Sequence, residues 1–158
     1  MIRIGQGFDV HRLEPGDGVT LGGLWVPCAH RVVAHSDGDI VLHALMDAML
    51  GSLALGDIGQ LFPDTDPCFK GADSAELTRH VRALCLKKGY SPSNVDLTIV
   101  CETPKIGPVR DAMRQCLADV LEMPVDAVSV KASTTERLGF LGRGEGIAVM
   151  AVCLMHSH

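Results

Sequence analysis

The sequence predicts an α+β fold: a single domain over residues 1–158, with a small mixed sheet and helices packed on one side of it. Three observations predict this. The apolar spacing changes between periods of two and of three to four along the chain, in the order strand, hairpin, helix, loop, helix, strand, helix, strand, strand. At 158 residues the length suits one domain, which can remove roughly 68–70% of its unfolded surface from water. With 47% hydrophobic and 21% charged residues, the chain has the composition of a globular protein.

Ile2, Ile4, Phe8 and Val10 keep a near two-residue period, giving a first strand that ends at the Pro15-Gly16 turn and puts Asp9 and His11 on one face. Val19 to Leu21 and Leu24 to Val26 flank Gly22-Gly23, a tight hairpin. Ser36 or Asp37 caps a helix over about 39–54, whose stripe is Val41, Leu42, Leu45, Met46 and Met49. Residues 55–72 form a turn-rich segment too long for a mere connector. Asp73 and Glu76 then open a helix that stops near Gly89. A strand over about 95–101 precedes Pro104 and an amphipathic helix carrying Val109, Met113, Cys116, Leu117, Val120 and Leu121. Val128, Val130 and Ala132 alternate as a strand, and a Gly-rich loop covers 139–146. The last strand, over 147–155, is so apolar that it needs cover from helices or from another subunit.

Composition narrows the function. Lys and Arg total 14 against 19 Asp and Glu, and the net charge of -5 with 4% aromatic residues excludes a dedicated nucleic-acid binder. The six cysteines are dispersed without a C-x-x-C pair and read as reduced, mostly buried thiols of a cytoplasmic protein. No apolar run reaches the length of a membrane helix.

Asp9, His11 and His43 could converge on one ion from a strand and a helix, the three-ligand arrangement of catalytic zinc; equally, Asp9 and His11 could be a strand edge and His43 a hydrogen-bonded core histidine. Asp47, one turn after His43, either orients that imidazole or binds water. His35 and Ser36 stand at a helix start suited to an anion or to plain capping. Ser133, Thr134, Thr135 and Glu136 offer hydroxyls and a carboxylate to phosphate and a hard cation, with Arg143 nearby, or else form a capping box. Asp57, Asp64 and Asp66 bind substrate hydroxyls or are solvated turn residues. Together these describe a small diphosphate substrate whose charge is met by metal ions.

The segments Gly7-Phe8-Asp9-Val10-His11, Ala34 to Asp39 with Leu42-His43-Ala44, Leu55 to Gly59, Leu61 to Pro67, Lys131 to Glu136, and Leu138-Gly139-Phe140 with Gly142 to Gly146 follow one another in order over the whole chain. This set resembles the 2-C-methyl-D-erythritol 2,4-cyclodiphosphate synthases. The resemblance implies a phosphorus-oxygen lyase of non-mevalonate isoprenoid synthesis. Its reaction converts 4-diphosphocytidyl-2-C-methyl-D-erythritol 2-phosphate to the cyclic diphosphate and CMP by attack of the 2-phosphate on the β-phosphorus.

The resemblance further implies Zn2+ on Asp9, His11 and His43, and Mg2+ or Mn2+ near Glu136 with the substrate diphosphate. It gives His35 and Thr134 the task of steadying the transition state. Ser36, Asp57, Ile58 and Gly59 would meet the methylerythritol part, together with Phe62, Pro63, Asp64, Thr65 and Asp66. Cys101, Glu102, Thr103, Pro104, Lys105, Ile106 and Gly107 would meet the cytidine diphosphate part with Ser133, Thr134, Thr135 and Glu136; Phe140 and Arg143 are further contacts. It also implies a homotrimer with active sites between neighbouring subunits and no nucleic-acid or membrane partner.

Some positions depart from the family. Gln6 and Met150 stand where many members carry His and Glu, so Arg143 is expected to lack its carboxylate partner and to meet an anion or water. Ser133 replaces a Thr, Ile106-Gly107 alters the cytidine pocket, and His156-Ser157-His158 is expected to be a frayed end, with binding of stray metal as the alternative. Two rival functions are a zinc phosphohydrolase and a non-enzymatic trimer with structural zinc.

Overall fold

A computed structural model describes residues 1–158. Strands β1 (Ile2–Pro15), β2 (Gly18–Leu21), β3 (Leu24–Pro27) and β4 (His30–Val33) precede helices α1 (Ile40–Ser52), α2 (Ile58–Leu61) and α3 (Ser74–Lys87). Then come β5 (Tyr90–Val100), α4 (Arg110–Leu121), β6 (Val128–Ser133), α5 (Gly139–Gly142) and β7 (Gly146–Ser157). The main sheet has the order β4-β1-β7-β5-β6 and is mixed, since only β5 and β6 run parallel; β2 and β3 form a separate hairpin.

β1 decides where the site lies. Its odd-numbered residues face the helices, and there the expected apolar stripe is absent: Gly5 and Gly7 occupy that face, while Ile2, Ile4, Phe8 and Val10 are exposed on the other. The glycines let α1 lie directly on the strand, because a Cβ at Gly7 would stand 1.9 Å from the Ala44 carbonyl oxygen and one at Gly5 1.9 Å from that of Ala48. Every residue of Ile40 to Leu50 except Asp47 is buried, so α1 is enclosed all round instead of presenting a stripe. Burial of each of its Leu and Met side chains contributes about 1.5–3 kcal/mol, which offsets the cost of holding His43 in the interior.

The start of α1 is capped by Asp39, not by Ser36 or Asp37: its carboxylate accepts from Leu42 N–H at 3.1 Å and, across the hairpin, from Gly22 N–H at 2.8 Å and Gly23 N–H at 2.7 Å. Gly22 and Gly23 both have positive φ, 63° and 80°, the backbone of a tight primed hairpin turn. Asp73 caps α3 as the sequence indicates. Ser133 to Glu136 is not a capping box, because no helix starts there; Glu136 and Arg137 turn instead through the left-handed region. The end of the chain is not frayed: β7 runs to Ser157, with His156 bonded to Ser93 and His158 to Ser91. All six cysteines are free, three of them buried, and no helix is long and apolar enough to cross a membrane.

Candidate functional site

Asp9 and His11 project from the helix side of β1 toward His43 on α1, and one ligand atom from each lies within 4.8 Å of the others. Asp9 Oδ2 is 3.1 Å from His43 Nδ1 and 3.2 Å from His11 Nδ1; the imidazole centroids are 5.4 Å apart. Burial pushes the Asp9 carboxyl up, but the neighbouring His11 and His43 imidazoles outweigh it and hold it at about 2. Burial alone lowers His43; the Asp9 hydrogen bond and the charges of Asp9, Asp39 and Asp37 outweigh it and raise His43 above its ordinary value.

His11 Nδ1 is buried and makes no aligned hydrogen bond despite its proximity to Asp9. An orphaned imidazole nitrogen beside a second imidazole and a carboxylate is a donor set suited to zinc, and three such ligands leave a position open for substrate.

The other nitrogen of His43 is also specified. His43 Nε2 lies 3.0 Å from Ser74 Oγ and 3.2 Å from Ser36 Oγ, and the Ser74 hydroxyl donates to Asp37 Oδ1 at 2.5 Å. With its own proton committed to Asp37, Ser74 accepts from His43 Nε2–H, so the Nδ1 edge, which faces Asp9, is the one that could take an ion in place of its proton. Ser74 was not legible as a site residue: its partner Asp37 is 37 positions away, and its place after the capping Asp73 reads as an ordinary helix start. Asp47 does not orient His43. It accepts instead from Ile58 N–H at 2.8 Å and fastens the start of α2 to α1.

Around the cluster is a cleft of about 300 Å³ that brings together Asp9, His11, His35, Ser36, His43, Ile58, Gly59, Phe62 and Asp64. Met46, Phe69 and Leu77 line it as well, though the spacing marks Met46 only as part of a core stripe and none of the three as a site residue. Asp57 caps α2 by accepting from Gln60 N–H, and Asp66 accepts from Cys68 N–H; both do the work of turn residues, and neither lines the cleft. Pro63 and Thr65 belong to the same segment without lining the cleft. Phe62 meets Phe69 and His80 edge-on at 5.2 and 5.8 Å, which ties this segment to α3.

The remaining predicted residues are elsewhere. Cys101, Pro104, Lys105, Ile106, Gly107, Ser133 and Thr134 line a second cleft, of about 330 Å³, which shares no residue with the first. Thr103 faces away and lies 3.2 Å from His30 Nδ1 through its hydroxyl. Thr135, Glu136, Phe140 and Arg143 line neither cleft. Arg143 is not left without a carboxylate: its Nε donates to Glu145 Oε1 at 2.9 Å, two residues away. Burial pushes Cys101 and Cys85 up to about 11 and Cys153 up to about 12, so none of these three is an activated thiol.

The model of the YgbB family matches residues 2–156. A 2-C-methyl-D-erythritol 2,4-cyclodiphosphate synthase of Pseudomonas aeruginosa is 60% identical over 154 residues, covering 98% of each chain. Among solved structures, the bifunctional IspDF of Campylobacter jejuni superposes with a TM-score of 0.96 at 39% identity, over 100% of this chain and 43% of that one. IspF of Plasmodium falciparum in complex with CDP superposes with a TM-score of 0.88 at 37% identity, over 99% and 96% of the two chains.

Proposed function

The chain belongs to the YgbB family and is a cyclodiphosphate synthase of isoprenoid biosynthesis, and we propose that it works by folding its substrate across two subunits of a homotrimer. The reaction converts 4-diphosphocytidyl-2-C-methyl-D-erythritol 2-phosphate to 2-C-methyl-D-erythritol 2,4-cyclodiphosphate and CMP. A bond forms from a 2-phosphate oxygen to the β-phosphorus, and the bond from that phosphorus to the bridging oxygen breaks, its electrons leaving with CMP.

In this reading the nucleophile is the substrate's own phosphate, ionised near neutral pH, so no side chain has to be activated. The buried thiols of Cys101 and Cys153, which burial pushes up to about 11 and about 12, accord with that. Asp9, His11 and His43 would hold zinc, and Glu136 magnesium or manganese. Bound there, divalent ions supply Lewis-acid neutralisation of phosphoryl charge. His35 and Thr134 supply donors to the transferring phosphoryl group. Ser36, Asp57, Gly59 and the Phe62–Asp66 segment orient the methylerythritol part, while Cys101–Gly107 and Ser133–Thr135 hold the nucleotide. Alignment of two ends of one molecule accounts for about 7–11 kcal/mol of barrier reduction in well-oriented intramolecular reactions.

One observation carries the trimer: within one chain the two clefts share no lining residue, while the outer face of β1 and β7 exposes Ile2, Ile4, Phe8, Val10, Met150 and Val152. A neighbouring copy on that face covers the apolar surface and supplies the second half of the site. The CDP named with the Plasmodium falciparum structure is the ligand expected in the nucleotide half. The dispersed free thiols support a cytoplasmic setting.

The test is incubation of the zinc- and magnesium-loaded protein with the diphosphocytidyl substrate, followed by phosphorus NMR. Cyclic diphosphate with CMP is the expected outcome. Linear phosphates would identify a hydrolase, and intact substrate a structural zinc protein. The same assay on His43→Ala, which is expected to lose both zinc at the cluster and turnover while staying folded, checks the ligand assignment.

A further inference from the structure

Glu102 follows β5 at the point where the chain turns into the wall of the second cleft. Its Oε1 accepts from Thr135 N–H at 3.3 Å and from Arg137 N–H at 3.1 Å; the intervening Glu136 N–H donates to Thr134 Oγ1 at 3.2 Å. Glu136 and Arg137 are consecutive non-glycine residues with φ of 56° and 61°. For residues with a side chain this conformation is costly and persists only where its surroundings over-determine it. Successive N–H groups in such a turn form a concavity that takes an anion. Here the anion is the protein's own carboxylate, reaching across from a segment 33 to 35 residues earlier.

We propose that Glu102 is a positioning residue whose carboxylate, not the substrate, fills the amide concavity of Thr135–Arg137 and locks the strained turn that presents Thr134 and Glu136 to the diphosphate. The proposal rests on the reading of Glu136 as a ligand of the second metal. It replaces the contact between the Glu102 side chain and cytidine diphosphate that the family resemblance implied. It also links the two walls of the nucleotide cleft: Cys101 and Pro104 on one side adjoin Glu102, and Ser133 and Thr134 on the other adjoin the turn it holds. Because both amides bond to the same oxygen, the acceptor is what matters and the charge is secondary. Glutamine at this position keeps the acceptor, alanine removes it, and aspartate falls short of it.

The zinc-loaded enzyme is compared with Glu102→Ala, Glu102→Asp and Glu102→Gln by two measurements. Amide hydrogen exchange without substrate should quicken at Thr135 and Arg137 by about tenfold or more in the Ala and Asp variants and stay near wild type in Gln. With substrate, the Mn2+ concentration for half-maximal turnover should rise by about tenfold or more in Ala and Asp, with lower kcat, and return to near wild type in Gln, the size expected on removing an outer partner of a metal site. Zinc content should not change. Unchanged exchange in Glu102→Ala overturns the proposal, as does a rise in KM alone with an unaltered Mn2+ requirement. Glu136→Gln is the control for the premise. If that variant leaves the Mn2+ titration unmoved, the assignment of Glu136 falls, and the exchange data show separately whether Glu102 holds the turn.

Discussion

Ser74 Oγ lies 3.0 Å from His43 Nε2 while its own proton is given to Asp37. Ser74 is fully buried, so this contact is a fixed part of the interior. It fixes the Nε2 edge of His43 as the side that donates to Ser74 and leaves the Nδ1 edge, 3.1 Å from Asp9 Oδ2, as the side that faces the cluster.

Ser74→Ala should therefore weaken zinc at the cluster by about 10- to 100-fold, the range seen when an outer hydrogen-bond partner of a metal ligand is removed. Competition with a chromophoric chelator measures this directly. An affinity equal to wild type would mean that Ser36, 3.2 Å from the same nitrogen, suffices to fix the ring.

Gly7→Ala should destabilise the protein at the upper end of the 1–3 kcal/mol range for overpacking, because the added Cβ would meet the backbone carbonyl of Ala44, which cannot rotate away. As α1 carries His43, the same displacement should lower zinc uptake by the folded fraction. Urea unfolding and metal analysis of the purified variant check both effects.

Asp39 gives the pH dependence. Its complete burial outweighs the hydrogen bonds from Gly23, Leu42 and Gly22 and raises the carboxyl from 3.8 to about 6. The folded state thus binds this proton more tightly than the unfolded state, and its contribution to stability is fully present below about pH 4 and lost as pH rises through about 6. Asp39→Asn removes the titration and sets an amide NH2 against a backbone donor, at a cost of about 1–3 kcal/mol. The stability difference between wild type and variant, from urea midpoints, should widen as pH is lowered from 6 to 4. A difference that stays constant across that interval would refute the assignment.

Ile4→Asp tests the assembly. Ile4 is 69% exposed on the outer face of β1, so a single subunit should tolerate the charge. If that face is covered by neighbouring copies, the carboxylate is desolvated there without a partner, and the trimer should dissociate. Sedimentation should then show monomers that keep zinc on Asp9, His11 and His43 but lose turnover. A variant that is trimeric and active would locate the subunit contact elsewhere.

Much of the fold could be read locally. The Gly22-Gly23 hairpin, the Asp73 cap and the apolar run of β7 are set by neighbouring residues, through backbone conformation and side-chain spacing. β4 left no trace, because its four residues, His30 to Val33, are too few to show a period. The apolar period of β1 was visible, but the side it faces was not. Alternation tells two faces apart without saying which one the helices cover, and here the core side is the glycine side.

By itself the sequence determined the α+β class, the order of its elements and the chemical kinds of side chain available for holding metal and phosphate. Only the tertiary structure decided that β1 lies against α1 closely enough for Asp9, His11 and His43 to meet, that Ser74 and not Asp47 orients the imidazole, and that Glu102 braces the turn of Glu136. These pairings join residues 31 to 37 positions apart. At such separations no local backbone preference acts. Contact follows from the packing of whole elements, and it is the missing side chains of Gly5 and Gly7 that bring the helix within reach.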